Sequence, residues 1–281
     1  MAKISNNFGV LLFVKEIFCR TPGRSKMKNN EYDFYGLVKN WDFSSIKRTS
    51  EGLTDWDMAT IIRKYATKDS KILDLGTGGG EKVLKTFPAV SEILGTDYSD
   101  AMIKTAKHNL KESGKKNITF RLMDNLSMDT PDDYYDIVTA RHTCIDPVQI
   151  YKTLKSGGVL IVRGVDQLDC WELKRLFDRG QAFRDEKPIS RIDYEAIMDA
   201  GFKDVELVPI HIREYYHSPQ GLLTLLHRTP ILEDFSETHL ENNFLHHEIE
   251  PEIFERYVAE HDTSKGILLI RRYYGITARK P

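Results

Sequence analysis

Residues 72–81 read Ile-Leu-Asp-Leu-Gly-Thr-Gly-Gly-Gly-Glu, an apolar run that passes directly into a glycine-rich turn. Glycines let the backbone turn sharply and leave room for a ligand where a Cβ atom would clash. Dinucleotide-binding loops share this feature, but they typically carry an apolar residue where Asp74 stands. A carboxylate there repels phosphate and suits a ligand with a positive centre and an amino group. The alternative is a tight turn that buries Asp74 in hydrogen bonds.

Four further apolar runs and the amphipathic segments between them extend this pattern. The runs lie at 93–97, 118–122, 135–140 and 159–162 and are apolar at successive positions, as strands covered on both faces must be. Ser99 is a predicted helix cap, Gly114 a helix end and Pro147 a helix start. Longer strand-like segments at 203–216 and 265–278 form a predicted antiparallel pair. The sequence therefore predicts an α/β fold with a Rossmann-like, seven-stranded, mostly parallel sheet, an antiparallel edge hairpin and helices on both faces.

The chain divides into four predicted segments. Residues 69–216 and 263–281 form the Rossmann-like domain, 217–262 a helical lid insertion, and 27–68 an N-terminal helical cap. The codons possible for residues 23–26 include a sequence that would serve as a bacterial ribosome-binding site before Met27. We therefore expect translation to start at Met27 and residues 1–26 not to belong to the natural protein. A docked helix is the alternative interpretation of that segment.

The composition is that of an ordinary globular protein. Over 281 residues, 41% are hydrophobic and 29% charged, with a formal net charge of -2. This charge balance gives no support for a dedicated nucleic-acid-binding protein, although it is compatible with a local basic face. Three scattered cysteines without metal-ligand spacing favour a reducing compartment, and no apolar run has the length of a membrane helix. We therefore expect a cytoplasmic protein.

Acidic residues also follow the second and third predicted strands. Asp97 lies roughly twenty residues beyond the glycine loop, where a carboxylate can accept hydrogen bonds from both hydroxyls of a ribose. Asp124, followed by Asn125, can accept from the amino group of an adenine. Turn chemistry is the alternative for each. Because the carboxyl ends of parallel strands meet at one edge of a sheet, the three acids predict a single crevice.

Four segments resemble the motifs of class I S-adenosylmethionine-dependent methyltransferases of the type 11/25-like kind. They are residues 73–80, 95–99, 123–126 and 154–161, the last with Ser156 in place of the usual proline. Residues 141–143, 146–147, 229–230 and 278–281 are similar to a poorly characterised bacterial branch of these enzymes. The Leu225-Leu226-x-x-Thr229-Pro230 pattern is distantly similar to ribosomal RNA guanine-N1 methyltransferases, whose N-terminal zinc ribbon this sequence lacks.

This resemblance implies S-adenosylmethionine as cofactor and S-adenosylhomocysteine as product. It implies that Asp74 anchors the methionine amino group, directly or through water, that Asp97 holds the ribose and that Asp124 holds the adenine. Tyr98 and Met102 could pack on the adenine, and Met102 could equally belong to the hydrophobic core. The other implied cofactor-binding residues are Gly76, Thr77, Gly78, Gly80, Tyr98, Met102, Asn125 and Arg141.

The predicted reacting centre follows the fourth strand, at Arg141 and His142. His142 could accept a proton, and Arg141 could bind an acidic substrate or the carboxylate of the cofactor; a hydrogen-bonded loop pair is the alternative. Methyl transfer from a sulfonium chiefly needs alignment and exclusion of water, so a dedicated base need not exist. We predict a structural thiol at Cys144 and no metal site, since the spacing of His239, His246 and His247 matches no strong ligand pattern.

Three functions remain open at this level. A small-molecule methyltransferase is favoured by the neutral charge, the aromatic segment 32–41 and the long insertion, which together could enclose a modest substrate. An RNA nucleobase methyltransferase is favoured by the Thr229-Pro230 motif and by lysines between 104 and 116. A non-catalytic cofactor-binding protein is the third. We predict no membrane partner. The sequence does not determine the oligomeric state.

Overall fold

The computed structural model describes residues 43, 45–233 and 248–281. The predictions for 1–26, for the aromatic segment 32–41 and for His239, His246 and His247 lie outside these residues. Within the described ranges, one sheet contains nine strands. They are β1 Arg48–Gly52, β2 Lys71–Leu75, β3 Glu92–Asp97, β4 Ile118–Leu122, β5 Tyr135–Arg141, β6 Leu154–Val165, β7 Lys203–Tyr216, β8 Asp262–Thr263 and β9 Gly266–Arg279.

Eight α-helices and one 3-10 helix complete the described elements. The α-helices are α1 Met58–Tyr65, α2 Glu81–Thr86, α3 Asp100–Ser113, α4 Pro147–Thr153, α5 Trp171–Phe177, α6 Ile189–Asp199, α7 Pro219–Arg228 and α8 Pro251–His261, and the 3-10 helix is Pro230–Leu232. In this part of the chain no helix is both long and apolar enough to cross a membrane.

The strand order confirms the predicted α/β class. The sheet runs β1-β7-β9-β6-β5-β2-β3-β4, with β8 attached to β9. Strands β4, β3, β2, β5 and β6 are mutually parallel, whereas β9, β7 and β1 add antiparallel pairs. The carboxyl ends of five parallel strands therefore meet along one edge, where the predicted crevice belongs.

The predicted count of seven strands is wrong, because it omits β1 and β8. Strand β1 reads Arg-Thr-Ser-Glu-Gly and is mostly exposed, so it has no apolar alternation that would reveal it. Strand β8 has only two residues. Since β1 pairs with β7, the hairpin of β7 and β9 does not form the edge of the sheet, which corrects the prediction of an edge hairpin.

The helices that flank the crevice begin and end where their capping residues dictate. The Asp57 side chain accepts from the backbone N of Thr60 at the start of α1, at 2.8 Å. Ser99 caps α3, and Gly114 ends it with a φ of +66°. Asp146 caps α4, with Pro147 in the first turn. These caps fix the loops that follow β3 and β5.

Three apolar clusters hold the layers together. One face of the sheet packs on α1, α2 and α3 through residues such as Ile62, Val83 and Ile103. The other packs on α4 and α6 through Ile150 and Ile197. A third cluster joins α5, α7 and α8 to β7 and β9, so residues of the predicted insertion share a core with the sheet.

Candidate active site

The glycine loop after β2 adopts a left-handed backbone at three positions. Gly76, Gly78 and Gly80 have φ values of +68°, +58° and +77°, a region that L side chains rarely enter. Asn109 of α3 donates to the backbone O of Gly79 at 2.8 Å, and the backbone N of Thr77 donates to Thr96 O at 2.8 Å. Neighbouring elements therefore hold the loop in this conformation.

Two of these glycines are also required by close packing. A Cβ atom at Gly76 would lie 2.6 Å from Cβ of Thr143, and one at Gly80 would lie 2.6 Å from Cζ of Phe120. Both distances are far below van der Waals contact. The loop is thus clamped between the residue that follows His142 and a core residue of β4.

Asp74 lies at the floor of the crevice, near the carboxyl end of β2. Its side chain is only 6% exposed and accepts a hydrogen bond from Oγ1 of Thr139 at 2.5 Å. Burial raises the pKa of the Asp74 carboxyl to about 6, although the hydroxyl of Thr139 and the charge of Arg141 oppose that shift. A carboxylate in this position favours a cationic ligand.

Asp97 lies at the carboxyl end of β3 and binds the glycine loop. The backbone N of Gly78 donates to its Oδ2 and the backbone N of Ser99 to its Oδ1, each at 2.9 Å. Burial raises the pKa of Asp97, and these amide hydrogen bonds oppose the shift. Asp97 therefore fixes the loop and also faces the crevice that the loop borders.

Asn125 follows β4 and carries an unsatisfied acceptor. Its Nδ2 donates to Oγ1 of Thr143 at 2.9 Å and to the backbone O of Cys144 at 3.3 Å. Because a carbonyl oxygen can only accept, these contacts fix the orientation of the amide. Oδ1 of Asn125 is buried and meets no donor among the described residues. A buried acceptor of this kind needs a ligand donor or water.

The structure brings the predicted cofactor residues together. Asp74 pairs with Gly95 across β2 and β3, and Asp97 pairs with Leu122 across β3 and β4. Asp124 accepts from the backbone N of Leu126 at 2.9 Å. Tyr98 is 41% exposed beside Asp97, whereas Met102 is buried at the start of α3. The three acids lie along adjacent strand ends.

Arg141 ends the neighbouring strand β5, and His142 directly follows it. Arg141 pairs with Arg163 of β6, and the backbone N of His142 donates to Arg163 O at 2.8 Å. The imidazole of His142 stacks on the ring of Tyr273, with centroids 5.2 Å apart and planes within 9°. His142 has a φ of +53°, which directs its side chain away from the regular course of the strand. A second wall of the crevice therefore comes from β5, β6 and β9.

The charge at this wall is positive. Burial, then the charges of Arg141 and Arg163, hold the pKa of His142 well below its ordinary range, so the imidazole is neutral at neutral pH. Burial lowers the pKa of Arg141, and lowers that of Arg163 to about 10, which leaves both guanidinium groups charged. The side chain of His142 is exposed to solvent, so a ligand bound at this wall of the crevice can reach it.

The two described cysteines differ in burial. Cys144 is partly buried beside the crevice and Cys170 is buried in the third cluster. Over the described ranges, no group of three His, Cys, Asp or Glu residues could hold a metal ion.

Sequence reasoning missed four residues of the site: Thr139, Thr143, Arg163 and Tyr273. The signal for Arg163 was present, because it directly follows the apolar run 159–162 and so ends a parallel stretch, as Arg141 does. Tyr273 belongs to an antiparallel strand, so no carboxyl-end rule could place it. Thr139 and Thr143 act through contacts that depend on register alone.

The fold and the crevice define a Rossmann-like domain with a ligand site at the carboxyl ends of its parallel strands. Residues 66–201 match the family model described as a methyltransferase domain. The matched segment is therefore a methyltransferase domain of the class I S-adenosylmethionine-dependent kind.

Individual relatives match more narrowly. YcgJ of Bacillus subtilis, an uncharacterized methyltransferase, is 34% identical over 87 residues, which cover 31% of this chain and 34% of YcgJ. The ubiquinone/menaquinone biosynthesis C-methyltransferase UbiE of Paraburkholderia xenovorans is 26% identical over 157 residues, 52% of this chain and 63% of that protein. The chain thus spans between a third and two thirds of the curated relatives it matches.

One solved structure supports the fold. A methyltransferase-like protein from Bacillus halodurans superposes with a TM-score of 0.52 at 18% identity, over 80% of this chain and 99% of that one. At this identity the likeness concerns the fold alone.

The residues present fit S-adenosylmethionine, the cofactor of this family. Asp74 is a buried carboxylate that a cationic amino group would stabilise in its charged form. Oδ1 of Asn125 is a buried acceptor in need of a donor. The left-handed glycines keep side chains off the approach to the loop.

Proposed function

We propose that this protein transfers a methyl group from S-adenosylmethionine to a small organic molecule bound in the recess beside the glycine loop. The observation that carries this proposal is the convergence of Arg141, His142, Arg163 and Tyr273 next to that loop. These four residues lie against one another, so this part of the crevice, called the recess below, offers a few directed groups rather than an extended surface. Such concave sites with few polar groups are typical of small ligands.

The chain contributes mainly binding and alignment. S-adenosylmethionine supplies an activated methyl group on a sulfonium. Asp74 would hold the amino group, Asp97 the ribose hydroxyls, and Asp124 with Asn125 the adenine edge. Fixing the donor at three points while the recess holds the acceptor turns a bimolecular encounter into an aligned one.

His142 lies where a base could take a proton from the substrate during transfer. Its imidazole is neutral at neutral pH, which is the state that accepts a proton, but the arginines beside it make it a weak base. We therefore assign His142 chiefly to contact with the substrate. An efficient base would need a pKa close to the working pH.

The features that favour RNA have structural explanations. Lys104, Lys107 and Lys111 are exposed along α3, and Lys104 pairs with Asp100 at 2.6 Å. These lysines lie on the helix face opposite its buried residues Met102, Ile103 and Ala106. Pro230 is buried in the sequence that follows α7 and starts the 3-10 helix. Both features serve solvation or packing, which supports a small substrate.

A radiolabel experiment tests the proposal. The protein is incubated with S-adenosylmethionine labelled in its methyl group and with a cell extract separated into RNA, protein and metabolite fractions. We expect label in the metabolite fraction, and none there with a Gly78→Val control. Label confined to RNA would support nucleobase methylation instead, and binding of the cofactor without labelling of any fraction would support a non-catalytic role.

Replacing Asp97 should weaken cofactor binding. We expect Asp97→Ala to lose about 1–3 kcal/mol of binding free energy for S-adenosylhomocysteine, because ribose hydroxyls and the amides of Gly78 and Ser99 lose their acceptor. Asp97→Asn keeps one acceptor oxygen and should lose less. Isothermal calorimetry measures both, and an unchanged affinity in folded Asp97→Ala would contradict the assignment.

A further inference from the structure

Two arginines lie side by side at the wall of the recess. Arg141 and Arg163 are register partners on the parallel strands β5 and β6, so their side chains leave the same face of the sheet a strand spacing apart. The guanidinium of Arg163 lies 4.2 Å from the centroid of the Tyr273 ring. The aromatic ring therefore covers part of the Arg163 guanidinium.

These arginines differ from their neighbours in lacking an acidic partner. Arg271, which also faces Tyr273, is neutralised by Asp169 at 2.9 Å and approaches Glu214 at 3.6 Å. No carboxylate of the described residues lies within 4 Å of Arg141 or Arg163. Longer-range acidic influences come from Asp74 on Arg141, and from Asp169 and Asp57 on Arg163.

Two adjacent, half-buried cations without a counter-charge are unfavourable in an isolated domain. Like charges on neighbouring strands repel, and each has already lost part of its hydration. A bound anion would remove both costs at once. Guanidinium groups in pairs match the geometry of carboxylate and phosphate oxygens.

We infer that Arg141 and Arg163 together bind an oxyanion of the substrate, a carboxylate or a phosphate, and so select an anionic acceptor for methyl transfer. This inference rests on the proposed small-molecule function. The anion would lie over β5 and β6, next to His142 and the ring of Tyr273. From there the rest of the substrate can extend toward the glycine loop.

The cofactor also carries a carboxylate that an arginine could bind. The positions of Arg141 and Arg163 distinguish binding of that carboxylate from binding of the substrate anion. Arg141 ends β5, which is directly beside β2 and its glycine loop, whereas Arg163 lies on β6, one strand further away. The carboxylate of the cofactor could therefore reach Arg141, while Arg163 is the more selective marker of the substrate. Both arginines must be tested against both ligands.

The experiment measures anion binding by the full chain saturated with S-adenosylhomocysteine. Inorganic phosphate and benzoate are titrated separately at constant ionic strength by calorimetry, into wild type, Arg141→Gln and Arg163→Gln. Lys104→Gln, an exposed cation of α3, is the matched control for loss of one positive charge. We expect saturable binding of at least one anion, weakened roughly tenfold or more by either arginine variant and unchanged by Lys104→Gln.

The affinity for S-adenosylhomocysteine and the thermal melt are recorded for every variant. If Arg163→Gln does not fold, Arg163→Lys takes its place. Lysine keeps the charge but loses the planar guanidinium fork, so this variant should still bind the anion more weakly than wild type. Phosphate bound more tightly than benzoate identifies a phosphorylated substrate, and the reverse identifies a carboxylic acid. Either result supports the site.

Three results would overturn the inference. They are the absence of saturable anion binding by the wild-type complex, anion binding that is indifferent to Arg163→Gln, and a loss in Arg141→Gln that affects S-adenosylhomocysteine alone. Failure of the proposed function has a different signature, because anion binding by the complex would persist while no metabolite became labelled. Labelling of neutral metabolites alone would remove this inference and leave the proposed function intact.

Discussion

Gly78→Val is expected to lower the affinity for S-adenosylhomocysteine roughly a hundredfold or more, the combined effect of backbone strain and a lost hydrogen bond. Gly78 has a φ of +58°, which is a severe outlier for a β-branched residue. Its backbone N also donates to Oδ2 of Asp97 at 2.9 Å. A loop that relaxes to relieve the strain moves that amide, so the approach path and the position of the Asp97 carboxylate change together.

The chain offers a matched control in Gly114→Val. Gly114 has a nearly equal φ of +66° and ends α3, and a Cβ atom at this position would meet no other atom within 4 Å. It therefore carries the same backbone penalty without touching the crevice. Calorimetry with S-adenosylhomocysteine and a thermal melt separate the two effects. If Gly78→Val binds as tightly as Gly114→Val, the glycine loop is not the cofactor loop.

The parallel half of the fold could be predicted because its signals are local. Each buried strand is an apolar run, and Ser99, Gly114 and Pro147 mark helix ends through their own backbone chemistry. The acids Asp74 and Asp97 could be placed because parallel strands deliver their last residues to one edge. Composition and order along the chain were sufficient for these elements.

The antiparallel half depends on partners that sequence does not display. Strand β1 is polar and exists because β7 offers it a ladder of backbone groups. Tyr273 reaches the recess from β9 only because β9 lies against β6 in one particular register. The cluster of Tyr273 with His142 and Arg163 joins residues more than a hundred positions apart, so no local pattern could predict it.

Asn125 illustrates an intermediate case. Its position after β4 was predicted from the motif, but its orientation was not. The backbone O of Cys144 and Oγ1 of Thr143 fix the amide so that its oxygen is left buried and without a donor. Register and loop packing, rather than residue type, turned a plausible turn residue into a candidate ligand acceptor.

The affinity for S-adenosylhomocysteine should fall as the pH is lowered through about 6. Burial raises the pKa of Asp74 to about 6 in the free protein, so below that pH its carboxyl is protonated and cannot pair with the ammonium of the ligand. For one linked proton, the affinity should drop about tenfold between pH 7 and pH 5. Calorimetry across this range, in buffers of different ionisation enthalpy, also measures the proton released on binding.

Asp74→Asn isolates this carboxyl from Asp97, whose pKa is raised in the same direction. The variant should bind S-adenosylhomocysteine about 10- to 100-fold more weakly at pH 7, since a charge-assisted hydrogen bond is lost, and its affinity should depend less on pH. In unliganded wild type, the raised pKa of Asp74 leaves folding stability undiminished only below the ordinary pKa of an Asp carboxyl. Stability is lost as the pH rises from there through about 6, because the carboxyl ionises more readily in the unfolded chain. Unliganded Asp74→Asn should therefore melt at a higher temperature than wild type at pH 8. A wild-type pH profile retained by the variant would show that Asp74 does not meet the amino group.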